Sequence, residues 1–190
     1  SYAITEQRLI QPSIEKAVEQ AMYKFKGAYS LVIMSPKKLI AARDPQGFRP
    51  LCMGETETGA IVFASESCAL DTVGAEFVRD VAPGEIVTIT PQGIQSDRSM
   101  ASDKCARCIF EYIYFARPDS YIDGICVHSS RLTAGKILAQ EHPVDADIVV
   151  GVPESGNAAA MGYSMESGIP YGTAFVKNSY VGRTFIKPIQ

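Results

Sequence analysis

No apolar run in the sequence approaches the roughly 18 residues that a membrane-spanning helix needs, and no signal peptide opens the chain. An excess of charge of one sign is also lacking. Eighteen basic against 21 acidic residues leave a net charge of −3, without the basic surplus that a nucleic-acid or membrane surface calls for. The five cysteines, Cys52, Cys68, Cys105, Cys108 and Cys126, are an odd number in a chain of 190 residues. That argues against a disulfide framework and for a reducing, cytoplasmic setting. Internal repeats and low-complexity segments are missing, as is any Ser/His/Asp or Cys/His set that would make a self-contained nucleophilic site. An initiator Met is absent too. Ser1-Tyr2-Ala3-Ile4 reads as the middle of an element, so the expectation is an interior fragment of a longer protein.

What is present suits a folded core, because 46% of the residues are hydrophobic and 21% charged. Ile14, Ala17, Val18, Ala21, Met22 and Phe25 recur at the helical period behind a Ser13 N-cap, with Gly27 as the stop. Short apolar runs follow at 28–34, 39–42, 51–53, 60–64 and 85–90 and read as strands. Ser35-Pro36-Lys37-Lys38 and Ala82-Pro83-Gly84 read as turns, and 67–73 as a short helix capped by Ser65 or Ser67 and ended by Gly74. One helix on mostly antiparallel strands makes this half α+β. The polar stretch 95–104 has little to bury and reads as a linker. Beyond it the pattern becomes helix (129–141), buried strand (147–152), helix (155–167) and strand (171–176), the grammar of a parallel α/β sheet.

Several segments are more specific than turn chemistry demands. Arg43-Asp44-Pro45-Gln46-Gly47-Phe48-Arg49-Pro50-Leu51 is physically a tight turn, in which Asp44 caps, Pro45 fixes φ and Gly47 supplies a left-handed position. It nonetheless resembles the R-D-P-x-G-x-R-P-L turn of N-terminal-nucleophile glutaminase domains. The 64–71 and 80–85 segments look like the A-S-E-S-x-A-L-D and D-V-x-P-G-E segments that follow there. Cys108 to Ser120, CIFEYIYFARPDS, would by composition alone be core or domain interface. It closely matches the C-x-F-E-Y-x-Y-F-x-R-P-D-S signature of the amidophosphoribosyltransferases. Lys177 to Ile186, KNSYVGRTFI, resembles their K-N-R-Y-V-G-R-T-F-I segment and departs from it at Ser179. The bland alternative for that basic stretch is a solvated loop.

The resemblance implies the C-terminal portion of an α+β glutaminase sandwich over residues 1–102, an interdomain linker over 103–127, and the opening of an α/β type I phosphoribosyltransferase domain over 128–190. It implies glutamine and phosphoribosyl pyrophosphate as substrates of the parent enzyme, with phosphoribosylamine, glutamate and pyrophosphate as products in purine biosynthesis. Lys177, Tyr180 and Arg183 would then contact substrate in a mobile loop. Ser155, in the strand–turn–helix sequence Val150 to Asn157, would help hold Mg²⁺; read alone it is a helix cap, with the free N–H groups of Gly156 and Asn157 available to an anion. Cys108 would be one ligand of a 4Fe–4S cluster in those members that carry one, its Cys-x-x-Cys pairing with Cys105 being weak as a metal signal. No catalytic residue is expected in the chain itself, since the family's N-terminal cysteine and its D-D-S-x-x-x-G-T-T loop are not in this sequence, so the chain alone should be inactive. A homo-oligomer is expected, with no nucleic-acid or membrane partner. Two other readings are another glutamine-dependent synthetase, such as an asparagine synthetase, and a non-catalytic nucleotide-binding module.

Overall fold

The computed structural model describes residues 2–102 and 104–181. By its internal contacts the chain divides into two compact units. One runs up to Glu111 and includes Asp119–Ile125; the other comprises Tyr112–Pro118 and the residues from Cys126 onward. Among the described residues no helix is long and apolar enough to cross a membrane.

The first unit is built in layers that follow from strand alternation. Helix α1 (Tyr2–Arg8) leads into α2 (Ile14–Met22), whose Ser13 Oγ accepts the Lys16 N–H at 3.3 Å as the N-cap. The helix stops at Met22, short of Phe25, because Lys24 and Phe25 donate three residues back, to Ala21 and Met22, and tighten the last turn. Strands β1 (Ser30–Ser35), β2 (Lys38–Arg43), β6 (Ile86–Thr90) and β7 (Gly93–Asp97) form one antiparallel sheet in that order. Strands β4 (Ile61–Ala64), β3 (Cys52–Thr56) and β5 (Ala75–Asp80) form another, and α3 (Ser67–Thr72) connects β4 to β5.

Neighbouring side chains on a strand point to opposite faces. Ile40, Ala42 and Ile86 therefore meet Val18 and Met22 of α2, while Ala41 and Val87, one residue out of phase, face Leu51, Met53 and Val81 between the sheets. Cys52, again out of phase, packs with Leu70 of α3 and with Ala75. The order is helix, sheet, sheet, helix. Each fully buried aliphatic side chain here contributes about 1.5–3 kcal/mol.

Three expectations for this unit need correction. The stretch 95–104 is not all linker: Gln95, Ser96 and Asp97 pair with Thr88, Val87 and Ile86 as edge strand β7, held by backbone pairing and not by burial. Strand β5 has no counterpart in the apolar pattern, since Phe77 and Val78 are adjacent and both exposed and the register shifts opposite Met53 and Gly54. The N-cap of α3 is Glu66, with no side-chain capping bond. Ser67 Oγ instead accepts the Tyr121 N–H at 2.8 Å, and Glu66 accepts the Ser120 hydroxyl at 2.8 Å.

After a π-helical turn at Glu111–Phe115 and a short hairpin, β8 (Tyr121–Ile122) and β9 (Ile125–Cys126), the chain enters α4 (Val127–Glu141), β10 (Val149–Val150), α5 (Gly156–Ser167) and β11 (Tyr171–Gly172). Strands β10 and β11 pair in parallel, as the alternation of helix and strand implies. They are far shorter than expected, and the strand expected to be buried is only half-buried, with Ile148 and Val152 exposed. Each has one strand partner among the described residues, too little to cover a longer apolar run.

Candidate functional site

The second unit is organised by the contact between its two long helices. The buried stripe of α4 is Val127, Arg131, Gly135 and Ala139, one residue per turn. A Cβ on Gly135 would lie 1.8 Å from the Ala159 carbonyl oxygen, and one on Gly162 would lie 2.0 Å from that of Leu132, so the two backbones touch and no larger residue fits. This contact fixes the N-terminus of α5 just beyond β10. Between them, Asn157 lies against Gly151, where an added Cβ would be 2.6 Å from the Asn157 Oδ1.

Arg131 sits in that stripe, 4% exposed. Its Nε donates to the Tyr112 carbonyl at 2.6 Å and its Nη2 to that of Ala116 at 2.8 Å. Arg131 thus ties the backbone that carries Tyr114, Phe115 and Arg117 to α4. Those residues, with Pro118, Pro153, Glu154, Ser155 and Lys177, enclose a cleft of about 370 Å³. Among the described residues its charged lining is three cations, Arg117, Arg131 and Lys177, against one anion, Glu154, a balance that favours an anionic ligand. The Lys177 Nζ lies 3.1 Å from the Glu154 Oε2.

Ser155 occupies the N-cap position of α5 with helical φ and ψ (−63°, −30°) and no side-chain capping bond, so its hydroxyl is not spent on the helix. The Gly156 and Asn157 N–H groups, expected to be free, are used: they donate to the Val152 carbonyl at 3.1 Å and the Glu154 carbonyl at 3.3 Å. Those two N–H groups are therefore already satisfied by backbone acceptors. Tyr180 is fully exposed, is not in the lining, and donates its N–H to Asn178 Oδ1 at 3.0 Å. Arg183 lies outside the described residues.

Cys108 belongs to the first unit. Its N–H donates to the Phe48 carbonyl at 3.3 Å, and the Ala106 N–H to that of Gln46 at 2.7 Å, so 106–108 runs along the Arg43–Leu51 turn. In that turn Asp44 accepts the N–H groups of Gln46, Phe48 and Arg49 and Gly47 has φ +65°. Cys108 is half-buried and Cys105 exposed. Among the described residues no group of three or more His, Cys, Asp or Glu side chains is placed to hold a metal ion, so they do not form the ligand set of a 4Fe–4S cluster. Glu111, three residues on, is held above the usual carboxylate range: burial raises it, the opposing pull of Arg49 at 2.5 Å is insufficient, and Glu66 adds repulsion.

Arg131 and the wall residues Tyr114, Phe115 and Arg117 were not singled out from the sequence as cleft residues. The signal available was an arginine in phase with the apolar and small residues of α4, at a position that should be buried.

The layered unit is of the glutamine amidotransferase class: residues 5–72 match the family model of a glutamine amidotransferase domain. Amidophosphoribosyltransferase of Mycobacterium tuberculosis is 51% identical over 94% of this chain and 33% of its own length. That of Methanocaldococcus jannaschii is 50% identical over 92% of the chain and 40% of its own length. Glutamine phosphoribosylpyrophosphate amidotransferase from B. subtilis, solved in complex with ADP and GMP, superimposes with a TM-score of 0.85 at 48% identity, covering 95% of this chain and 39% of that one. A solved structure of the allosteric regulatory enzyme of purine biosynthesis matches equally well, with a TM-score of 0.85 and 48% identity over 95% of this chain and 38% of that one. The chain belongs to the amidophosphoribosyltransferase family and spans about a third of the length of the curated relatives it matches. The alternative of another glutamine-dependent synthetase, such as an asparagine synthetase, yields to these relatives.

Proposed function

We propose that the chain is part of an enzyme that takes ammonia from glutamine and transfers it to phosphoribosyl pyrophosphate, releasing pyrophosphate and leaving phosphoribosylamine and glutamate. The observation that carries this reading is the cleft in which Ser155, Arg117 and Lys177 converge, in a chain about half identical to amidophosphoribosyltransferases. In this reading the first unit is the C-terminal portion of an N-terminal-nucleophile glutaminase sandwich, and the helix–sheet–sheet–helix order supports it. Residues 103–127 are the linker, and 128–190 open a type I phosphoribosyltransferase domain, which the parallel pairing of β10 and β11 supports.

Lys177 and Arg117 hold the oxygens of the pyrophosphate group and balance the charge that grows there as the bond to the anomeric carbon breaks. The apolar faces of Tyr114 and Phe115 keep water from that carbon, so that ammonia is the nucleophile. Tyr180 and Arg183 join from the segment after β11. The Ser155 hydroxyl is a hard oxygen donor and would help hold Mg²⁺, which when bound neutralises pyrophosphate charge. Cys108 would be this chain's single thiolate toward a 4Fe–4S cluster, and no step depends on it. The glutamine nucleophile lies elsewhere in the parent enzyme, a cytoplasmic homo-oligomer without nucleic-acid or membrane partners.

The test is stoichiometry. The full-length protein, given glutamine and phosphoribosyl pyrophosphate with Mg²⁺, should form phosphoribosylamine, glutamate and pyrophosphate in equal amounts. Glutamate formation without pyrophosphate release at saturating substrate would contradict the reading.

A further inference from the structure

We propose that Glu154 is the resident counter-ion of Lys177, an internal competitor that an anionic ligand must displace before the ammonium can bind it. The inference rests on the reading of the cleft as a pyrophosphate site. The ammonium and the carboxylate are 3.1 Å apart, and each is the other's only side-chain partner among the described residues. Among the described residues Glu154 is also the only acidic side chain in a lining that holds three cations. Neither partner is buried: the side chains are 57% and 70% exposed. Water and salt screen the pair, so it is weak enough to exchange.

Lys177 itself follows β11 on residues without helix or strand, and its neighbours Phe175 and Val176 are exposed. No helix or strand holds Lys177, and among the described residues the Glu154 carboxylate is its one side-chain partner. A ligand phosphate arriving there takes over the ammonium and leaves the Glu154 carboxylate to water. The exchange costs the ligand the strength of the pair, and the cost shrinks as salt rises.

The experiment is a double-mutant cycle on the full-length enzyme, with inorganic pyrophosphate titrated calorimetrically at low ionic strength in the presence of chelator. Glu154→Gln should tighten pyrophosphate binding by about two- to five-fold, the range an exposed pair spans, and the gain should fade in high salt. Lys177→Met should weaken binding, and in that background Glu154→Gln should change nothing. An unchanged or weaker affinity in Glu154→Gln would overturn the inference. So would the same gain in both backgrounds, since that would be a general field of the carboxylate and not competition for Lys177. Absence of pyrophosphate binding by the wild-type enzyme and every variant, with chelator and again with Mg²⁺ supplied, would instead overturn the reading of the cleft, and the inference with it.

Discussion

Arg43, 1% exposed, uses every donor of its guanidinium: to the Arg49, Val81 and Gly47 carbonyls and to both oxygens of Asp123 at 2.9 and 3.1 Å. Asp123, which adopts φ +47°, also accepts from Arg107 at 2.8 Å. The residues written as a turn motif thus anchor the β8–β9 hairpin, 80 positions away. Removing one partner leaves a buried charge unpaired, so Asp123→Ala should lower stability by about 3–5 kcal/mol, read from the urea midpoint of the first unit; a loss below about 1 kcal/mol would mean that water reaches the guanidinium. The pH dependence follows from the same group. Burial raises the Asp123 carboxyl, but Arg43 and then Arg107 outweigh it and hold it below its ordinary value. Glu85 is likewise raised by burial and pulled lower by Arg79, Ser96 and the Ala82 N–H. For such depressed carboxyls the stabilisation is complete above the unfolded value and is lost as pH falls through the folded one. Asp80 runs the other way, raised by burial and by Asp123; its contribution is present at low pH and lost as pH rises through its folded value, which partly offsets the other two. Stability should therefore fall below about pH 4, and Asp123→Asn should flatten that limb. A limb of unchanged steepness would exclude Asp123 as a source.

Helices α4 and α5 depend on glycine in a way that can be separated from helix propensity. Gly135→Ala and Gly162→Ala drive a methyl into a backbone carbonyl and should each cost about 1–3 kcal/mol by forcing the helices apart. Gly156→Ala meets nothing nearer than 3.8 Å and should be neutral or mildly stabilising. Thermal melting of the three variants checks this, and equal shifts in all three would refute the packing account. The same elements mark how far sequence reasoning reaches. Helix α2 was legible because Val18 and Met22 repeat with the helical period, and strand β2 because 39–42 is a continuous apolar run, with Ile40, Ala41 and Ala42 buried on its two faces. Strand β7 was not, because an edge strand whose residues are exposed carries no apolar signal and is held by hydrogen bonds to β6. The shortness of β10 and β11 was hidden for the opposite reason: Ile148, Val149 and Val150 are apolar, but the number of strand partners is a property of the sheet. For the candidate site, the turn at Ser155 was visible in the sequence. The wall facing it was not, since Arg117 and Tyr114 reach the cleft only because Arg131 holds the π-helical turn from another element.

At the scale of the whole molecule, the proposed function divides two chemistries: amide hydrolysis would belong to the enzyme of which the layered unit is part, and phosphoribosyl transfer to the unit that carries the cleft. The 190-residue chain by itself should form neither glutamate from glutamine nor phosphoribosylamine, and a burst of glutamate from it would show a nucleophile that the sequence does not suggest. The separation of chemistries is tested most directly by measuring both half-reactions of the full-length enzyme carrying Ser155→Ala. Ser155 lines the cleft and makes no capping bond to α5, so the substitution should spare folding. The account predicts a raised Mg²⁺ requirement and at least a ten-fold lower kcat/KM for phosphoribosyl pyrophosphate, about 1.4 kcal/mol of lost transition-state stabilisation, with glutamine hydrolysis unchanged within about two-fold (roughly 0.4 kcal/mol). Equal loss of both half-reactions would contradict it, as would an unaltered dependence on phosphoribosyl pyrophosphate and Mg²⁺.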